Sequence, residues 1–202
     1  MTDLSALAPL RLGYLRRLRE FAARLAPENA LLEVALRGED DRPVYTNAGL
    51  PARADAADRS TGETFEVAGA TPDEPLAATL TAGALTVRLE PGNWERLPLR
   101  LVFARAPTDA EVEALADLVR SWATVAAYGG YGPGEPGFSG TLHDLALLSA
   151  ESGLAFLLDL GTAPLAAVEA LFIALDGFHR STAALGEISL GGPAPEPEPA
   201  AE

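Results

Sequence analysis

LPLRLVFARAPTDAEVEALADLVRSW (residues 97–122) and LAFLLDLGTAPLAAVEALFIALDGF (residues 154–178) read as one strand-then-helix unit used twice. Val112 falls on Val168, Glu113 on Glu169, Ala114 on Ala170, Leu115 on Leu171 and Trp122 on Phe178, all at an offset of 56. In the first copy Leu97, Leu99, Leu101 and Phe103 alternate along one strand face. Thr108-Asp109-Ala110-Glu111 then forms a capping box, in which hydroxyl and carboxylate each satisfy an orphan N–H, so a helix is expected from Asp109. Val112, Leu115, Leu118, Val119 and Trp122 make its buried stripe, and Tyr128-Gly129-Gly130 stops it. In the second copy Leu154, Phe156, Leu158 and Leu160 share a strand face. Pro164 suits a first helical turn whose Leu165, Val168, Leu171, Phe172 and Leu175 run inward.

Between the copies, Thr141 to Ser149 and Leu154 to Leu160 flank Ala150-Glu151-Ser152-Gly153 as a hairpin, and Glu187 to Leu190 is the last strand. Strand, helix, strand, strand, helix, strand over residues 96–191 is the ferredoxin-like βαββαβ order. In that layout the first and third strands are central and both helices cover one sheet face. The other face then carries Arg100 and Val102, Ala155, Leu157 and Asp159, and either His143, Leu145 and Leu147 or Asp144 and Ala146. Covering side chains such as Val102 and Leu157 stabilises by roughly 1.5–3 kcal/mol apiece. Arg100, Val102, Leu145, Leu147, Leu157 and Asp159 are therefore the expected interface, with Arg100 and Asp159 pairing across adjacent strands.

Residues 1–91 read as a separate module of one helix and an antiparallel meander. Leu10, Tyr14, Leu18, Phe21 and Leu25 share a helical face. Leu32 to Arg37 and Pro43 to Thr46 are expected to form a hairpin, 48–62 a loop or short helix, and Thr64 to Ala68, Leu76 to Thr81 and Ala84 to Glu90 three further strands. This layout resembles PAS-like or GAF-like sensor modules, which implies a small-molecule pocket, with Tyr14, Phe65 and Trp94 as its candidate lining. Gly191-Gly192 closes the folded part, and 192–202, with its alternating prolines, reads as a disordered acidic tail. The expected class is α+β, with a boundary at Pro91-Gly92-Asn93.

Composition narrows the function. The chain has 202 residues, no cysteine and a net charge of −14, which removes disulfides and thiolate chemistry. Its charge is uneven: residues 1–42 carry seven Arg against seven acids, and residues 106–202 two Arg against fourteen acids. Such a half repels nucleic acid and anionic membrane, so a charged partner should be basic. No apolar run spans a bilayer and the N-terminus lacks a signal pattern, so a cytoplasmic protein is expected.

Motifs for chemistry are weak. Gly132 to Gly137 spells GxGxxG but follows a helix, contains two prolines and carries Glu135, so it is read as a connector rather than a cofactor loop. Tyr128, Tyr131 and Phe138 around it form a candidate aromatic patch. His143 and His179 lack a metal-binding spacing, and Ser139, His143 and Asp144 make no triad, because neighbouring strand residues face opposite ways. No catalytic residue, metal or cofactor is expected. The leading expectation is a non-enzymatic interaction or regulatory protein that self-associates or binds a basic protein partner. A PAS/GAF-like small-molecule sensor is the alternative, and a hydrolase or isomerase using His143 or His179 the third.

Overall fold

The computed structural model describes residues 4–67, 77–90, 92–133, 135–149 and 153–193. It is an α+β fold with an N-terminal helix, a three-stranded antiparallel sheet and a mixed six-stranded sheet backed by two more helices. Helix α1 (Ala8–Ala22) leads into strands β1 (Ala30–Ala35), β2 (Arg53–Asp58) and β3 (Thr64–Phe65), which pair in that order. The large sheet contains β4 (Ala78–Ala82), β5 (Leu85–Leu89), β6 (Leu97–Phe103), β7 (Asp144–Ser149), β8 (Gly153–Asp159) and β9 (Leu185–Leu190), ordered β4-β5-β9-β6-β8-β7. Its pairs are antiparallel except β5 with β9. Helices α2 (Asp109–Ala127) and α3 (Leu165–Ser181) follow β6 and β8. The repeat is structural as well as sequential: β6 and β8, and α2 and α3, begin at the same offset of 56.

One sheet face is apolar across every strand, and period-two alternation accounts for it. Leu80, Val87, Ile188, Leu101 and Leu154 lie in one row of cross-strand partners, and Leu89, Leu190, Leu99 and Phe156 in another. These residues are buried with Leu115, Val119 and Trp122 of α2 and Val168, Leu171, Phe172 and Leu175 of α3. Trp122 Nε1 donates to the Ala167 carbonyl at 2.7 Å, tying the helices together. The capping box forms as its residue types require: Glu111 N–H donates to Thr108 Oγ1 at 3.3 Å, and Thr108 N–H to Glu111 Oε2 at 2.8 Å.

Three expectations are corrected. Strands β4 and β5 do not complete an N-terminal meander; β5 pairs with β9, so the boundary near residue 91 does not separate the sheets. Residues 43–46 do not return along β1 as a strand. They make the isolated bridges Arg37–Pro43 and Tyr45–Pro51, with Val44 N–H donating to the Leu36 carbonyl, and the partner of β1 itself is β2, within the stretch expected as loop or helix. Arg-Ala-Asp-Ala-Ala-Asp has poor strand propensity, but small alanines let that segment sit buried between neighbours, and tertiary context overrides propensity here. Finally, Leu145 opposes Leu158, and Leu147 opposes Phe156, so both belong to the helix side of the sheet. Leu145 is core and Leu147 is an exposed edge residue.

The reverse face therefore carries Asp144 and Ala146 instead. Arg100 on it is exposed, Val102 and Leu157 are half-buried, and Arg88 pairs there with Glu90 and Glu187. Arg100 stands opposite Ala155, four residues from Asp159, and no ion pair between Arg100 and Asp159 occurs among the described residues. Of the expected acidic tail, residues 194–202 lie outside the described residues, as does Gly134 of the glycine-rich loop.

Candidate functional site

The two sheets meet at a buried polar cluster that hangs on one histidine. Positions 33 and 55 lie between the paired Leu32–Ala56 and Val34–Ala54 of β1 and β2, which brings two carboxylates to the same point of the sheet. Like charges in that relation repel. His143, just before β7, resolves the conflict: its Nδ1 lies 3.2 Å from Asp55 Oδ1 and its Nε2 3.7 Å from Glu33 Oε1. The two carboxylates hold the ring by their charge and by the close approach of Asp55 to Nδ1. Burial disfavours the imidazolium, but Asp55, Glu33 and the charge of Asp159 outweigh it and raise its pKa to about 10. His143 is 3% exposed.

Each carboxylate has further partners. Glu33 Oε2 accepts from Ser139 N–H at 2.6 Å, while Oε1 accepts from Ser139 Oγ at 2.6 Å, Thr141 Oγ1 at 2.9 Å and Thr162 Oγ1. Burial works against its charge, yet the imidazolium and these donors bring its pKa down to about 2. Glu33 sits at φ 51°, a left-handed conformation unusual for a non-glycine residue inside a strand. Asp55 takes Tyr14 O–H at 2.5 Å and Val67 N–H at 2.6 Å. Its pKa is lowered although burial opposes this, because His143, Tyr14 and Val67 favour the anion. Gly161, at φ +48°, is the wall behind the imidazole, and a Cβ there would overlap the ring.

Beside this cluster opens a cleft of about 550 Å3. The reverse face of the large sheet gives it a floor of Asp144, Ala146, Leu157 and Asp159; Asp55, Glu66 and Val67 from the smaller sheet and the chain after it, and Asn93, Glu95 and Arg96 from the chain before β6, complete the lining. Five carboxylates thus line it against one arginine. Asp55 is compensated by His143, and Glu95 lies 3.8 Å from Arg17. Glu66, Asp144 and Asp159 line the cleft with the exposed Arg96. Burial, followed by the charge of Asp55, raises the pKa of Glu66. Burial raises that of Asp159 to about 7; Asp55 and Glu66 add to the rise, and His143 and Gly161 N–H oppose it.

The other sequence-predicted residues are placed apart. Tyr14 and Trp94 are wholly buried, and neither lines the cleft; Trp94 Nε1 donates to the Gly161 carbonyl at 2.8 Å. Phe65 packs on Phe21 with ring centroids 5.0 Å apart. Phe138 is buried beneath the Arg19 guanidinium at 4.9 Å, Tyr131 packs against the core and Tyr128 is exposed, so the three do not form one patch. His179 Nδ1 accepts Leu185 N–H at 3.0 Å and plays no part in the cluster. Ser139 binds Glu33 rather than His143.

Sequence reasoning missed Glu33, Asp55, Glu66 and Thr162. Glu33 carried a signal, as the one acid inside the apolar run Ala30 to Leu36. Asp55 carried none, because its segment does not read as a strand. Among the described residues no group of three or more His, Cys, Asp or Glu is arranged to hold a metal ion, and no helix is long and apolar enough to cross a membrane. Comparison with known proteins gives no matching family model, no matching curated protein and no matching solved structure.

Proposed function

We propose that the protein is a non-enzymatic binding module that receives a basic side chain of a protein partner in the cleft between its two sheets. The observation that carries this reading is the composition of the cleft lining: Asp55, Glu66, Glu95, Asp144 and Asp159 with a single Arg96. A guanidinium or ammonium entering it gains charge-assisted hydrogen bonds, each contributing about 1.5–3 kcal/mol. Ala146 and Leu157 on the floor suit the methylene stem of such a side chain. The acidity beyond residue 105 adds a long-range attraction for the same class of partner.

His143 is withdrawn behind Asp55, which favours an organising role over contact with a substrate. Self-association through the reverse face has narrower support, because its apolar part reduces to Val102, Ala146 and Leu157. The strand order β9-β6-β8-β7 with α2 and α3 supports reading residues 96–191 as a ferredoxin-like module that gains β4 and β5 at one edge.

The test is fluorescence anisotropy with labelled hexa-arginine and hexa-glutamate peptides. The reading predicts binding of the basic peptide alone, weakening as salt rises, and at least about tenfold weaker for Asp144→Asn, equivalent to about 1.4 kcal/mol. Equal binding of both peptides, or no loss in the variant, contradicts it.

A further inference from the structure

We propose that Asp159 keeps its proton in the free protein and donates it to the orphan Asp144 Oδ1 across the β7–β8 pair, and that a cationic group entering the cleft displaces it. The second half of this rests on the binding reading above; the first does not. The two residues are direct cross-strand partners at the end of the β7–β8 pair, so their side chains leave the sheet on the same face. Directly opposed positions in an antiparallel pair bring Cβ atoms to about 4.5–5.5 Å, within reach of a hydrogen bond between carboxyl groups.

A second observation points the same way. Asp144 Oδ1 is closed off from solvent and has no hydrogen-bond partner. An orphan acceptor in that position is costly, and the O–H of a protonated Asp159 is a donor of the right reach. Asp159 Oδ1 already accepts Gly161 N–H at 3.0 Å, which leaves its other oxygen to carry the proton.

The surroundings favour the shared proton. Asp159 is faced by Asp144 on β7, Asp55 on β2, Glu66 after β3, and Glu95 and Arg96 before β6. Behind them stand the His143 imidazolium and the neutral Tyr14 phenol. Arg96 and His143 are the two cations in this set; His143 is engaged by Glu33 and Asp55, and Glu95 by Arg17. Ionising both members of an opposed pair here adds a negative charge to a lining in which carboxylates already outnumber cations. A guanidinium or ammonium between them supplies that counter-charge. The proton then leaves to solvent, the two carboxylates share the incoming cation, and the net charge of the cleft is unchanged. Affinity should consequently fall as pH drops below the Asp159 midpoint.

Two measurements on the full chain test this separately. In a carbon-detected NMR titration of the aspartate carboxyl carbons, Asp159 should show a midpoint near about 7, and Asp144→Asn, which removes the neighbouring acceptor, should lower it. An Asp159 midpoint in the ordinary carboxylate range, or one that Asp144→Asn leaves in place, overturns the shared proton. Calorimetry with acetylated hexa-arginine amide at pH 7, in two buffers of different ionisation enthalpy, should show release of up to about half a proton per peptide bound, the fraction Asp159 carries at its midpoint. Binding without proton release overturns the coupling while leaving the binding reading standing. Absence of binding overturns that reading together with the displacement step, and the shared proton is then judged on the NMR titration alone.

Discussion

Replacing His143 by Gln is the most informative perturbation of the junction. The imidazolium stands between Asp55 at 3.2 Å and Glu33 at 3.7 Å, all three side chains being almost excluded from water. Gln retains size and polarity but leaves two opposed carboxylates without their counter-charge. Removing one partner of a buried ionic group costs about 3–5 kcal/mol, and that is the loss expected at pH 7. The pH dependence has a definite sign. His143 binds its proton more tightly folded than unfolded, so its contribution is complete below about 6.5 and is lost as pH rises toward about 10. Glu33, with its pKa lowered, contributes above about 4.5, and that contribution disappears as pH falls toward about 2. Urea denaturation followed by tryptophan fluorescence reads both, because Trp94 is hydrogen-bonded to Gly161, the residue that backs the imidazole. Glu33→Gln should destabilise the native protein yet restore about 1 kcal/mol or more in the His143→Gln background, because it removes the repulsion. A loss under about 1 kcal/mol for His143→Gln, or strict additivity of the two substitutions, refutes the ionic account of the junction.

Gly161→Ala combines a left-handed backbone with a Cβ that collides with the buried imidazole; the expected loss is at least about 2 kcal/mol, seen in thermal melts as a fall of about 4 °C or more. A melt within one degree of the parent, to be set against about 2–4 °C per kcal/mol in a chain of this size, contradicts the packing described. Asp159→Asn should act in the opposite direction above neutrality. The folded chain keeps the Asp159 proton up to about 7 whereas the unfolded chain releases it near 3.8, so ionisation removes stability as pH rises between those values. The shift corresponds to about 4 kcal/mol at most, reduced to about 1–2 kcal/mol by solvent access through the cleft. The advantage of the variant over the parent should therefore grow between pH 5 and pH 8; a constant difference contradicts it.

The parts of this fold that were legible in the sequence are those in which local chemistry and burial agree. Thr108 and Glu111 announce a helix start that forms at Asp109, and the alternation of Leu97, Leu99 and Leu101 is the burial pattern of β6. The repeated unit predicted two equivalent strand–helix pairs, and they begin where the offset requires. Elsewhere the decisive interactions are distant in sequence. The strand formed by Arg53 to Asp58 exists because its alanines fit between β1 and β3, which no property of RADAAD reveals. Leu145 and Asp144 were ambiguous because a one-residue choice of register exchanges the two faces, and only the pairing with β8 decides it. Asp159 was singled out as an interface residue, but its neighbours Asp55 and Glu66 come from the N-terminal sheet and were not foreseen. A site made where two sheets meet leaves little trace in either sequence segment alone.

The account turns on whether the cleft is where basic groups bind. Two-dimensional NMR of the full chain titrated with hexa-arginine addresses it most directly. The account predicts shift changes concentrated at residues 93–96, 144–146 and 157–159 and at Glu66, saturating with one peptide and lost in Asp144→Asn. Changes spread instead over the exposed acids of α2, such as Glu113 and Asp117, or no saturable change at all, would contradict it.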